Sequence, residues 1–158
     1  MKDSYRIDVT SMVRKLPLSS AKIDKIVRTV LAGQKIRRAE ISVAVVGDKR
    51  MADFAEQYVH KRYRTDVFSF DLGKSADSQL LGQLIVNSQL ARDKAKKFKV
   101  EAGAELALYI VHGLLHLCGY DDHSVADAIA MHKQTHKYLS KLGFKHIPPM
   151  PEVEKVEE

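Results

Sequence analysis

Hydrophobic positions recur along this chain with two periods, and each period marks a different kind of element. Between Arg6 and Val13 apolar residues alternate with polar ones through Ile7, Val9 and Val13, which predicts a strand. Pro17 and then Ser19 or Ser20 open a helix whose apolar face is Ile23, Ile26, Val27, Val30 and Leu31, with Gly33 expected to close it. Ala39 to Val46 is β-branched and reads as a strand ending at Gly47. Asp48 is placed to cap a short helix holding Met51, Phe54, Ala55 and Tyr58. Asp66 to Phe70 is a short aromatic strand, and Leu80 to Val86 another, interrupted by Gly82. A helix starts at about Ser88. The next carries Val100, Ala104, Ala107, Leu108, Val111 and Leu115 at helical spacing and is apolar almost all round, so it is expected to be buried. Ser124 caps a final helix with Val125, Ile129, His132, His136 and Leu139, ended by Gly143. Strands early and helices late predict an α+β domain over 1–146, with a Pro-containing acidic tail over 147–158.

The buried helix carries the candidate chemistry. His112 and His116 stand at i and i+4, so their imidazoles lie on one face and converge on one point. Gly119 is suited to a left-handed C-terminal turn, after which Asp121, Asp122 and His123 return toward the pair. Histidines inside a buried helix need partners for their ring nitrogens. A core pair satisfied by backbone or carboxylate is the plain alternative, and the turn of potential ligands favours a metal. Three histidines and a water form a common catalytic zinc arrangement. The ion is therefore read as zinc, with nickel or cobalt able to use the same nitrogen donors.

Gly113 occupies the place where a His-Glu-x-x-His protease carries its general base, which argues against peptide hydrolysis by that route. A residue without a side chain there is also expected to let backbone or substrate approach the ion. His132 and His136 form a second i,i+4 pair but sit among Lys133, Gln134 and Lys137 with no glycine turn, and read as a polar helix face. Cys118, the single cysteine, excludes an internal disulfide and reads as a small packing residue.

Composition narrows the partners. At 158 residues and 45% hydrophobic the chain suits one domain. No stretch is long and apolar enough to cross a membrane, and Asp8, Arg14 and Lys15 interrupt any signal-like segment, so a cytoplasmic location is expected. The formal charge of +6 suits a polyanion. Its cations group at Arg37 and Arg38, at Lys61, Arg62 and Arg64, and from Arg92 to Lys99, and such runs are as often solvated faces as binding tracks.

His-Gly-x-Leu-His-Leu-x-Gly-Tyr-Asp, beginning at His112, resembles the signature of the YbeY (UPF0054) family of bacterial rRNA maturation factors, and Thr65-Asp66-Val67-Phe68-Ser69-Phe70 resembles its second block, Thr-Asp-Val-Leu-Ser-Phe. The resemblance runs from about residue 6 to residue 142. It implies a mixed, mostly parallel four-stranded sheet with helices packed around it and a zinc-type ion in a cleft. It further implies a metal-dependent, single-strand-specific endoribonuclease acting on the 3′ end of small-subunit (16S) rRNA and in ribosome quality control.

The chain departs from the family pattern at four places. Asp122 fills the position of the usual third histidine, and His123 follows it. Either side chain can ligate; His123 is preferred as the third ligand beside His112 and His116, because a neutral imidazole adds no charge to repel phosphate. Phe54-Ala55 stands for the family's Leu-Asn, Val59 for an arginine expected to contact phosphate, and Gly82-Gln83-Leu84 for Gly-Asp-Ile. Arg62 and Arg64 are the residues expected to stabilise charge on the phosphoryl oxygens in place of that arginine. The competing expectation is a ribosome-associated RNA-binding or assembly protein whose ion is structural, with Asp122 as a fourth ligand closing the site.

Overall fold

The computed structural model describes residues 3–74 and 79–145. In chain order the elements are β1 (Ser4–Ser11), α1 (Ser20–Gly33), β2 (Arg38–Val46), α2 (Asp48–Val59), β3 (Val67–Lys74), β4 (Leu80–Asn87), α3 (Ser88–Phe98), α4 (Ala102–Leu117) and α5 (Val125–Lys141). The tail expected over 147–158 lies outside the described residues.

The strands form one sheet in the order β1-β2-β4-β3. β1, β2 and β4 are parallel, while β3 runs antiparallel on the edge beside β4. This is the α+β architecture with a mixed, mostly parallel sheet. Strand alternation gives the sheet two unlike faces. Ile41, Val43, Val45, Leu80, Leu84, Val86 and Val67 join the large core with α1, α4 and α5. Val46, Ile85, Phe68 and Phe70 belong to a smaller cluster with Met51 and Phe54 of α2. α4 is the central helix: Leu106, Ala107, Ile110, Val111, Leu114 and Leu115 are wholly buried. Helices apolar on every side belong in such positions.

The termini show which local signals act. Ser19 caps α1 by accepting from the Lys22 N–H at 3.1 Å, and Ser124 caps α5 by accepting from the Asp127 N–H at 3.1 Å. Asp48 does not cap α2, because the capping position is Gly47 and the Asp48 carboxylate is engaged by Arg64 and Asn87. Nor does Gly33 make the left-handed turn after α1. That conformation falls to Lys35 (φ 60°), and Gly33 instead gives room to an aromatic ring. A Cβ on Gly33 would sit 2.4 Å from the Tyr138 hydroxyl oxygen, which accepts a 2.7 Å hydrogen bond from Gln34.

α5 buries a different stripe from the one its aliphatic residues suggest. Met131, Thr135, Tyr138 and Leu139 face the core, while Val125 is 63% and Ile129 42% exposed. Tyr138, seated against Gly33, selects the stripe: a large ring finding a cleared pocket outweighs two smaller aliphatic side chains. His132 and His136 lie off that stripe, with ring centroids 6.5 Å apart, and belong to no metal-capable cluster among the described residues.

Candidate metal centre

α4 delivers the two histidines as its helical period requires. The His112 and His116 rings are 4.7 Å apart between centroids, and their Nε2 atoms approach to 3.1 Å. Two ligand nitrogens on one tetrahedral zinc ion stand about 3.3 Å apart, given zinc–nitrogen bonds of about 2.0–2.1 Å. The pair is thus close to ligand spacing. Burial, and then the neighbouring His116, hold the His112 imidazole below its ordinary pKa. A neutral ring keeps the lone pair that a cation needs.

The chain reverses immediately after the pair. Gly119 adopts φ +102°; its N–H donates to the His116 carbonyl at 3.1 Å, and the Tyr120 N–H donates to the Leu115 carbonyl at 3.0 Å. These two bonds are a Schellman closure, which satisfies carbonyls of the last turn while redirecting the backbone. The turn brings back Asp122. His112, His116 and Asp122 each offer a ligand atom within 4.8 Å of the others, the histidines partly buried and Asp122 exposed. Asp121 shapes the turn, accepting from the His123 N–H at 3.2 Å, a bond that holds its carboxyl below the usual range. His123 is exposed and stands outside this group.

Gly113 turns out to serve packing rather than access to the ion. A Cβ there would lie 2.9 Å from Leu84 Cδ2, 2.9 Å from Ser69 Oγ and 3.0 Å from Val67 Cγ2. Ser69 and Leu84 are directly paired across β3 and β4. The glycine therefore lets α4 settle on the sheet edge and sets the height of both histidines above it. Gly82 does the same one turn on, where a Cβ would meet Leu117 Cδ1 at 2.6 Å. Cys118 is partly buried, and burial pushes its thiol up to about 11, so it packs as a neutral side chain.

The two arginines enter the structure in ion pairs. Arg62 donates to Asp53 at 2.8 Å and to Glu56 at 2.6 Å. Arg64 bridges Asp48, at 2.9 Å, and Asp93. Burial works against the Asp48 charge, but hydrogen bonds from Arg64 and Asn87 outweigh it and keep the carboxyl below its usual range.

Two features were not singled out in the sequence. Asn87, wholly buried, holds the segment before β3: its backbone N–H donates to the Asp66 carbonyl at 2.9 Å and its side chain to Asp48 at 2.8 Å and to the Thr65 carbonyl at 3.2 Å. The same side chain caps α3 by accepting from Gln89 and Leu90. An asparagine between a strand and a helix was the available signal. The second is Glu105, buried in α4 two turns before His112 and near Tyr109. Neither Glu105 Oε1 nor the Tyr109 hydroxyl has a hydrogen-bond partner among the described residues.

The family described as Endoribonuclease YbeY matches residues 8–143. The chain belongs to the YbeY family. An Endoribonuclease YbeY of Anaeromyxobacter sp. is 42% identical over 94 residues, which are 59% of this chain and 49% of that relative, so the chain spans about half of its length. One of Cellvibrio japonicus is 31% identical over 144 residues, 89% of this chain and 81% of the relative. In three dimensions the chain is similar to a solution structure of a Thermotoga maritima protein, with TM-score 0.61 and 20% identity over 86% of this chain and 88% of the other, a likeness of fold. Val59 ends α2 and is 45% exposed, while the cations that follow it are carried by the loop into β3. No helix among the described residues is long and apolar enough to cross a membrane.

Proposed function

We propose that this chain is a metal-dependent endoribonuclease that cuts single-stranded RNA, acting in the cytoplasm on the 3′ end of small-subunit rRNA and in ribosome quality control. The observation that carries the proposal is the approach of the His112 and His116 Nε2 atoms to 3.1 Å, with an exposed carboxylate brought beside them by the Gly119 turn. Membership of a family described as Endoribonuclease YbeY supports RNA as the substrate. In this reading His112 and His116 hold one zinc-type ion. The third ligand comes from the turn, either Asp122, whose carboxylate already stands near the pair, or His123, the next residue. Such an ion supplies a Lewis acid for phosphodiester hydrolysis at neutral pH.

The protein's own groups would then bind and orient the RNA. Arg62 and Arg64 are the proposed partners of the phosphoryl oxygens, released from their carboxylates when a phosphate arrives. Ser69 and Gly113 keep α4 in place on the sheet edge, and Asn87 holds the segment that carries Arg64 to β3. The exposure of Asp122 favours an open, reactive centre over a closed structural one. The test is cleavage of a precursor-rRNA fragment by wild type, a His116→Ala variant and a chelated sample. Cleavage by the wild type alone is expected. Equal cleavage by all three would remove the metal centre from the reaction.

A further inference from the structure

β3 turns one face toward the candidate metal centre and the other toward a run of aromatic rings. Val67 and Ser69 lie against Gly113 of α4, whereas Phe68 and Phe70, the alternate residues, join the cluster below α2. Phe54 and Tyr58 stack with centroids 6.2 Å apart and 9° between their planes. Tyr58 meets Phe70 at 4.8 Å, Phe70 meets Phe68 at 6.2 Å, and Phe68 meets Tyr63 edge-on at 6.3 Å. Five rings thus form one continuous series. Its two tyrosines are open: Tyr58 is 49% and Tyr63 43% exposed, with Leu72 of β3 62% exposed. Two half-exposed tyrosines on one continuous run of rings offer ring faces to a partner.

Along α2 and the start of the loop after it, the charge left unpaired is positive. The acids nearby are already matched, Asp53 and Glu56 by Arg62 and Asp48 by Arg64. Lys49, Arg50 and Lys61 are exposed and have no ion pair among the described residues. Arg50 precedes Phe54 by one helical turn, and Phe54 precedes Tyr58 by another, so the three share one stripe of α2. Half-exposed rings flanked by free cations suit a strand that offers flat bases and phosphates together. We infer that Tyr58 and Tyr63 form a stacking platform for unpaired bases of a single-stranded RNA, with Arg50 and Lys61 taking its phosphates. β3 is an edge strand, so an RNA passing over that edge reaches the rings on one side and the histidine pair on the other. The inference rests on the reading of this chain as a nuclease of single-stranded RNA, and it names where that RNA is held.

Binding is tested apart from cleavage. The full chain, with chelator present, is titrated into a short single-stranded oligoribonucleotide carrying 2-aminopurine, whose fluorescence is quenched by stacking. Wild type should bind and quench. Changing Tyr58 and Tyr63 together to Ala should weaken binding roughly 5- to 100-fold and abolish the quench, the range that loss of base–aromatic stacking gives. The Tyr58→Phe, Tyr63→Phe pair should keep both, since the ring rather than the hydroxyl acts. The Tyr58→Leu, Tyr63→Leu pair should behave like Ala, although it keeps apolar area and packing volume; should the Ala pair not fold, the Phe and Leu pairs decide. Equal binding by wild type and the Leu pair overturns the platform. So does a self-association of wild type that the Leu pair retains and that blocks the oligonucleotide, because the face would then belong to a second copy. Wild type that cuts RNA with metal while the Leu pair binds normally leaves the nuclease reading standing and removes only the platform. Wild type that neither cuts nor binds removes both.

Discussion

Ser69 donates its hydroxyl to the Gly113 carbonyl at 3.0 Å, and a Cβ on Gly113 would stand 2.9 Å from that same oxygen. One hydrogen bond and one missing side chain therefore fix how α4 rests on β3, at the residue directly after His112. Adding a methyl forces Ser69, Leu84 or Val67 to move. Gly113→Ala should lower stability by about 1–3 kcal/mol, the usual cost of overpacking, measured by urea unfolding. An unchanged midpoint would mean that the helix can lift off the sheet without cost.

The third ligand is decided by comparing neighbours on the turn. Zinc titrations followed by calorimetry should show His112→Ala and His116→Ala losing stoichiometric binding. Asp122→Ala should weaken binding more than His123→Ala, since Asp122 already lies near the pair. The reverse ranking would assign the ligand to His123.

Glu105 sets a pH dependence of stability. Burial raises its pKa in the folded protein above the ordinary 4.5. The folded state then holds this proton more tightly than the unfolded state, so stability falls as pH rises above the unfolded value and through the folded one. Glu105→Gln cannot ionise. It should be more stable than wild type at pH 8, by roughly 1 kcal/mol or more, and should show a smaller gain at pH 4.5. Parallel melting curves at the two pH values for both proteins would refute the burial effect.

Arg62 and Arg64 carry a kinetic prediction. Each replaced by Ala should slow RNA cleavage about tenfold or more if it meets phosphate in the transition state, with zinc content unchanged. Binding of the RNA should also fall steeply with salt, at least about tenfold between 50 and 200 mM. Variants that cleave normally would show that the arginines only tie α2 and α3 to the loop through their carboxylates.

What the sequence determined by itself is what depends on neighbours along the chain. The i,i+4 spacing of His112 and His116, the left-handed Gly119 and the caps at Ser19 and Ser124 are set within one or two turns of backbone, so the two-histidine helix and its reversal were legible. The strands were legible too as short alternating, β-branched or aromatic runs, although β3 continues past its aromatic stretch to Lys74. The family blocks at Thr65 and His112 supplied the mixed sheet, which no local signal contains. Tertiary structure decided everything that needed two distant segments to meet. Gly33 ends α1 as its sequence suggested, but the clearance it gives Tyr138, 105 residues away, could not be recognised. Gly113 serves β3 and β4, and α5 turns on Tyr138 rather than on its exposed Ile129. Asp122 and His123 are equivalent in sequence, since either is one peptide from the other; only the path of the turn after Gly119 brings one carboxylate to the histidines. The pairing of Arg62 and Arg64 with acids of α2 and α3 was hidden for the same reason: a charge shows its sign in the sequence, and its partner only in space.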